Sequence, residues 1–187
     1  MLIVFIFVPK NSGLKKYRQV ALDSFNFKNP KVVEVRGEDV PFWVNALLDK
    51  TQVIGLTGSD LFETYCMNGS NNLEIVKVIK WFDPTALFNK PVLCLLGPKN
   101  KKLSDFSSCV KIAVCSKYKK LVEEYVKTLL FDVELIYFSG SVELSYTLGI
   151  SDLVMDIVYS GKSMKETGLK VYDKIIESDF VVIGGKK

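Results

Sequence analysis

Apolar runs of strand length recur along the chain, at 2–8, 31–36, 52–56, 73–80, 91–97, 110–114, 133–138, 153–158, 171–177 and 179–183, with amphipathic or polar stretches between most of them. Continuous apolar runs mark strands buried on both faces, and the spacers are long enough for crossover helices. The pattern therefore predicts an α/β fold with buried parallel strands. Helices are expected at 14–24, 40–49, 59–66, 117–130 and 141–148. The second begins near Asp39 and Pro41, because proline suits a first helical turn; Ser59 and Ser141 stand where caps of the third and the last belong. Leu121, Tyr125 and Leu129 fall on one face of the fourth. The polar stretch 98–108 predicts either a break between two lobes or a long surface loop within one.

Composition excludes several chemistries. Histidine is absent from all 187 residues, which removes a Ser-His-Asp triad, an imidazole base and a His-ligated metal. Cys66, Cys94, Cys109 and Cys115 have no metal-ligand spacing, so reduced, mostly buried thiols are expected. The formal net charge of +4 is spread along the chain apart from Lys99 to Lys102 and Lys119-Lys120, which is not a nucleic-acid footprint. The opening run Leu2 to Val8 has no basic leader, is too short to span a bilayer and is followed by Pro9. A cytoplasmic protein with neither membrane nor nucleic-acid partner is expected.

The strongest local signal is Leu153 to Met164, a strand that leaves into Ser160-Gly161-Lys162-Ser163. Gly161 lets backbone N–H groups approach an anion, Ser160 and Ser163 offer hydroxyls, Lys162 adds a charge, and a helical turn from Ser163 aims its N-terminus at the ligand. An ordinary turn has the same composition. Asp156 interrupts an apolar strand, where a carboxylate needs a partner; a ribose hydroxyl, a metal or a structural donor each fit. Ser139 to Glu143 follows another strand and reads as an anion site or as a cap with an acidic first turn. Small-residue loops also leave the first strand at Val8 to Gly13 and the third at Gly55 to Asp60, where open α/β sheets gather ligands. No Gly-x-Gly-x-x-Gly or Walker loop occurs, which argues against a dinucleotide enzyme or a P-loop ATPase.

Glu143, Gly149, Ser151, Val154, Asp156, Ile157, Ser160, Gly161, Ser163 and Met164 together resemble the signature of the ATP phosphoribosyltransferase family. Ser163 stands where that family has threonine, and keeps the hydroxyl. The resemblance extends to Gly140 to Leu144, Thr167-Gly168-Leu169, Lys111-Ile112-Ala113 with Ser116 and Tyr118, Arg36 to Pro41, Gly55 to Leu61 and Pro9-Lys10. It departs at Asn11-Ser12-Gly13-Leu14, where Gly-Arg-Leu is usual, and after Trp81 to Thr85, where extra residues follow.

The resemblance implies two α/β lobes like those of type II periplasmic binding proteins, with the active site in the interlobe cleft. Lobe I would comprise 1–90 plus 166–187, and lobe II 91–165 with the phosphoribosyl-phosphate loop. It implies that adenine N1 of ATP attacks C1 of phosphoribosyl pyrophosphate, a reaction needing no strong base. Asp156 and Lys10 would be catalytic, Ser160, Gly161, Lys162 and Ser163 would hold the 5′-phosphate, and Arg36, Gly58, Asp60, Ser141 and Glu143 would serve pyrophosphate or ATP. Mg2+ is expected on the substrate. The short form of the family, a homodimer or a hetero-oligomer with a subunit resembling histidyl-tRNA synthetase, is expected because the chain ends at Lys187. The alternatives are a non-catalytic phosphoribosyl- or nucleotide-binding module of the same fold and a regulatory or assembly subunit.

Overall fold

A computed structural model describes residues 4–10, 15–23, 25, 27, 29–69 and 72–186. The chain forms two compact units: one from residues 1–81 and 179–187, the other from 82–178. The expected start of the first strand at Leu2 and Ile3, the altered loop Asn11 to Leu14 and the turn residues Ser70 and Asn71 lie outside the described residues.

The first unit runs β1 (Val4–Pro9), α1 (Lys15–Asp23), β2 (Lys31–Val35), α2 (Val40–Leu47), β3 (Gln52–Gly58), α3 (Ser59–Met67), β4 (Leu73–Ile79) and, at its end, β10 (Phe180–Gly185). Its sheet has the order β2-β1-β3-β10-β4. β1 is parallel to β2 and β3, and β10 is antiparallel to both β3 and β4. The core gathers Phe7, Val40, Val44, Val53, Phe62, Leu73, Val181 and Ile183. Helix α2 starts as its sequence dictates, with Asp39 at the N-cap and Pro41 in the first turn. It packs so closely on β3 that a Cβ at Gly55 would stand 2.4 Å from Val40 and 2.6 Å from Val44.

Ser59 does not cap α3. Gly58 holds the cap position, and the Ser59 hydroxyl instead accepts the Asp179 N–H at 2.9 Å. Asp179 in turn accepts the Trp81 N–H at 2.9 Å, so one short segment ties together the residues at which the chain leaves and re-enters this unit.

The second unit runs β5 (Val92–Pro98), β6 (Val110–Cys115), α4 (Lys119–Tyr125), β7 (Val133–Phe138), α5 (Glu143–Thr147), β8 (Leu153–Val158), α6 (Lys162–Glu166) and β9 (Leu169–Glu177). The expected long helix at 117–130 is α4 flanked by 3-10 turns at Ser116–Tyr118 and Val126–Thr128. The sheet order is β7-β6-β8-β5-β9, with β6 parallel to β7 and β8, and β5 antiparallel to β8 and β9. Every residue of β5 is buried, as are Ile112 to Val114 and Leu153 to Met155. Burying side chains of this size stabilises by about 1.5–3 kcal/mol each, which is why the continuous apolar runs occupy the middle of the sheet.

The two units repeat one plan: a parallel triple of strands, then an antiparallel strand, then a last strand. The sequence shows no matching repeat, because a sheet position demands apolar character and not particular residues. Both sheets are mixed, whereas the apolar runs alone predict parallel strands. The boundaries differ from the expected ones as well. Residues 82–90 and 166–178 belong to the second unit, because β9 ladders along β5 and because the segment after Phe82 bonds to the end of β8, Leu87 N–H donating to Tyr159 O at 2.7 Å. The thiols are all free, but only Cys94 and Cys115 are buried; Cys66 is half-buried and Cys109 exposed.

Candidate active site

Strand β8 carries Asp156 at its carboxyl end, after three fully buried residues. Leu153 to Met155 fill the sheet, and Asp156 emerges half-buried beside a cavity of about 120 Å³. Glu143, Asp156, Ser160, Gly161, Ser163 and Met164 are among its lining residues. That volume is well below the roughly 300–1,000 Å³ of a pocket that encloses a drug-sized ligand, and suits a phosphate-sized group.

The Asp156 Oδ1 accepts the Ile157 N–H at 2.8 Å. Burial pushes its carboxyl from the ordinary 3.8 up to about 6; the Ile157 hydrogen bond acts against that rise, the Glu143 charge adds to it, and the Lys117 charge opposes it. Partial desolvation is thus the main cause of the shift, and the carboxyl titrates close to neutral pH, as groups at functional sites often do.

The loop after β8 is shaped for an anion. Gly161 has φ +70 and ψ 13 and caps α6. A side chain there would be strained, and its Cβ would come 3.2 Å from Leu87. The loop's own polar groups are barely used: Lys162 N–H reaches the Ser160 hydroxyl at only 3.3 Å, and the Lys162 ammonium stands 3.9 Å from Glu166. Ser160, Lys162 and Ser163 are exposed. The loop is braced from behind by Tyr159, whose hydroxyl donates to Asp83 and whose carbonyl accepts Leu87 N–H.

Glu143 opens α5 and faces the cavity. Ser141 does not cap this helix: Val142 occupies the cap position without a side-chain bond, and Ser141 is exposed with φ +50, its carbonyl accepting Leu144 N–H at 3.1 Å. The structure thus brings Asp156, Glu143, Ser160, Gly161 and Ser163 to one cavity, with Lys162 on the same loop, and leaves Ser141 outside the lining.

The other expected residues lie in the first unit, each at the carboxyl end of a parallel strand. Lys10 follows β1, is exposed, and donates its N–H to Val35 O at 2.9 Å. Arg36 follows β2, exposed, with Nη1 3.9 Å from Glu38. Gly58 ends β3, and Asp60 is buried in the first turn of α3, where a negative charge is favoured. Sequence reasoning missed two groups: Lys117, just past β6, and the Asp83–Tyr159 brace. Their positions at the ends of β6 and β8 were the available signal.

Oxygen donors at the cavity are the carboxylates of Asp156 and Glu143 and the serine hydroxyls. Among the described residues no group of three or more Cys, Asp or Glu side chains is placed to hold a metal. This donor set fits a magnesium ion that arrives on a phosphorylated substrate and keeps its waters, rather than one caged by protein alone.

A family model described as ATP phosphoribosyltransferase (HisG) matches residues 36–187. The chain is 29% identical over 182 residues to the ATP phosphoribosyltransferase of Campylobacter concisus, covering 92% of this chain and 81% of the relative. With that of Thermococcus gammatolerans it shares 32% identity over 152 residues, covering 81% and 66%. Among solved structures it resembles the ATP phosphoribosyl transferase (HisG:HisZ) complex from Thermotoga maritima, with a TM-score of 0.69 at 23% identity over 98% of this chain and 88% of that one. It also resembles the periplasmic aliphatic sulphonate binding protein SsuA from Escherichia coli, with a TM-score of 0.62 at 15% identity over 97% and 61%. The likeness establishes the α/β fold of type II periplasmic binding proteins.

Proposed function

The chain belongs to the ATP phosphoribosyltransferase family, and from that premise we propose that it condenses ATP with 5-phosphoribosyl 1-pyrophosphate, the first step of histidine biosynthesis. Adenine N1 forms a bond to C1 of the ribose while the C1–O bond breaks, and the electron pair leaves with pyrophosphate. The products are N1-(5-phosphoribosyl)-ATP and pyrophosphate. The observation that carries the reading is the cavity at the end of β8, where an anion-shaped loop and a partly desolvated carboxylate adjoin.

Ser160, Gly161, Lys162 and Ser163 hold the 5′-phosphate through hydroxyls, the α6 backbone N–H groups and the ammonium. Asp156 accepts hydrogen bonds from the ribose hydroxyls and, as the anomeric carbon gains positive character, stabilises it. Glu143 braces the same edge of the cavity. In the first unit Lys10 and Arg36 serve to neutralise the pyrophosphate or the ATP phosphates, with Gly58 and Asp60 in the neighbouring strand-end loops; in the second, Ser141 serves the same groups from the loop before α5. When bound with the substrate, a magnesium ion would supply charge neutralisation on the pyrophosphate, with the Asp156 and Glu143 carboxylates as the oxygen ligands the cavity offers. Because N1 is itself the nucleophile, positioning and electrostatics carry the rate, and the absence of histidine is no handicap.

The Thermotoga maritima relative is seen in complex with HisZ. We extend that to this chain as a hetero-oligomer with a regulatory subunit resembling histidyl-tRNA synthetase, acting in the cytoplasm. Among the described residues no helix is long and apolar enough to cross a membrane.

The test is product formation from ATP, phosphoribosyl pyrophosphate and Mg2+, followed by the absorbance of the N1-substituted adenine, with and without the partner. Turnover in either condition is expected. Folded protein that binds phosphoribosyl pyrophosphate yet stays silent in both would refute the enzyme and leave a binding module of the same fold.

A further inference from the structure

Of the parallel strands in the second unit, β7 ends at Glu143's loop and β8 at Asp156 and the phosphate loop, but the roles above leave the end of β6 unused. The chain leaves β6 through α4 toward β7 on one side and leaves β8 through α6 toward β9 on the other, so its connections diverge between β6 and β8. Open α/β sheets bind ligands at such a point. The register Ala113↔Val154 and Val114↔Met155 brings the end of β6 level with Asp156.

The turn after β6, Ser116–Tyr118, is fixed on both sides. Ser116 Oγ donates to Phe138 O at 2.8 Å, and Tyr118 is 1% exposed. Lys117 stands between these anchors, exposed, with its ammonium 5.1 Å from the Tyr118 ring centroid. It forms no ion pair among the described residues, whereas its neighbours Lys119 and Lys120 face Glu123 at 3.9 and 3.6 Å. In the first unit Lys10 follows β1, the strand that β6 matches in the shared plan.

Packing around β8 sets the direction of a bound substrate. Helix α6 packs on β9, on the β5 side of Asp156, and β6 lies on the other side. A ribose held at Asp156 with its 5′-phosphate in the Ser160 to Ser163 loop therefore turns its anomeric end toward β6. Resting on the phosphoribosyl reading, we propose that Lys117 is a further substrate-binding residue, whose ammonium receives the pyrophosphate on the anomeric carbon. As the C1–O bond breaks, the electron pair moves onto a pyrophosphate oxygen beside this ammonium, which keeps its proton and neutralises the growing charge.

The test compares Lys117→Ala, Lys117→Arg and Lys119→Ala with the wild type, each with the regulatory partner present. Three readouts are taken: steady-state kinetics in both substrates, inhibition by inorganic pyrophosphate, and the melting temperature. Lys117→Ala is expected to lower kcat/KM for phosphoribosyl pyrophosphate by at least about tenfold and to weaken pyrophosphate inhibition comparably, the loss of one charge-assisted contact. KM for ATP and melting temperature should hold, Lys117→Arg should recover most of the loss, and Lys119→Ala should match the wild type. A turning-over wild type beside a Lys117→Ala variant indistinguishable from Lys119→Ala overturns the role of Lys117 alone. A wild type that neither binds phosphoribosyl pyrophosphate nor turns over overturns the reaction, and this role with it.

Discussion

Replacing Asp156 by asparagine separates what the cavity does for the fold from what it does for the reaction. The Asp156 carboxyl is pushed from 3.8 up to about 6, mainly by burial. Each unit of such a shift corresponds to about 1.4 kcal/mol, so carrying this charge at neutral pH costs the folded state on the order of 3 kcal/mol. The sign follows from the direction of the shift. An acid whose folded pKa lies above its unfolded one destabilises the fold wherever the unfolded chain has ionised first. The cost is small by about pH 4, grows between about 4 and 6, and is constant above that. Asparagine keeps the oxygen that accepts the Ile157 N–H at 2.8 Å and removes the buried charge and its repulsion from Glu143, while giving up the attraction to Lys117. The variant should therefore melt higher than the wild type at pH 8, by about 2–4 °C for each kcal/mol released. Its advantage should shrink as pH falls below 6, and its turnover should drop by about two orders of magnitude, as expected when an electrostatic group at a developing charge is lost. Melting curves at pH 4, 6 and 8 with initial rates at pH 8 decide the matter. A variant that melts lower at pH 8, or whose gap to the wild type is the same at every pH, refutes the reasoning about burial. One that turns over normally refutes the role in the reaction.

Ser163→Ala should raise KM for phosphoribosyl pyrophosphate by about tenfold and leave the melting temperature unchanged, because Ser163 is exposed and lines the cavity in which the proposed function places the 5′-phosphate; steady-state kinetics and a thermal melt check both halves. Gly97→Ala should destabilise the second unit by about 1–3 kcal/mol in urea unfolding, since the new Cβ would lie 2.2 Å from the Tyr172 ring and displace the hydroxyl that donates to Pro98 O at 2.9 Å.

The buried strands were the most legible part of the sequence. Runs such as Leu153 to Val158 are apolar because the sheet covers both their faces, so their positions follow from residue character alone. Strand direction was not legible: nothing in Val92 to Leu96 distinguishes an antiparallel strand from a parallel one, and it is the route of the chain that decides. The unit boundaries escaped for the same reason, since β9 joins the second unit through backbone ladders to β5 that any strand can make. The expected caps at Ser59 and Ser141 did not form because a serine hydroxyl bonds whatever N–H the tertiary fold presents, and at Ser59 that is the Asp179 N–H, brought in from the link between β9 and β10. At the site, Asp156 and Gly161 stood out because a carboxylate in an apolar strand and a glycine after one are local anomalies. Lys117 did not, because a lysine on a surface turn is common, and only the parallel register of β6 with β8 brings its turn level with Asp156.

The placement of β10 in the first sheet has a consequence for biosynthesis. Phe180 to Ile183 fill the middle of that sheet, against β3 on one side and β4 on the other, although β10 follows the whole of the second unit in the chain. On the ribosome β1 to β4 therefore emerge first but wait with β3 and β4 unzipped, while the contiguous stretch 82–178 already contains every strand of its own sheet. The usual N-to-C order of domain maturation is reversed here, with the later-made unit complete before the earlier-made one. Until the nascent chain delivers Val181, Val182 and Ile183, the facing edges of β3 and β4 are the surfaces a holding chaperone has to shield.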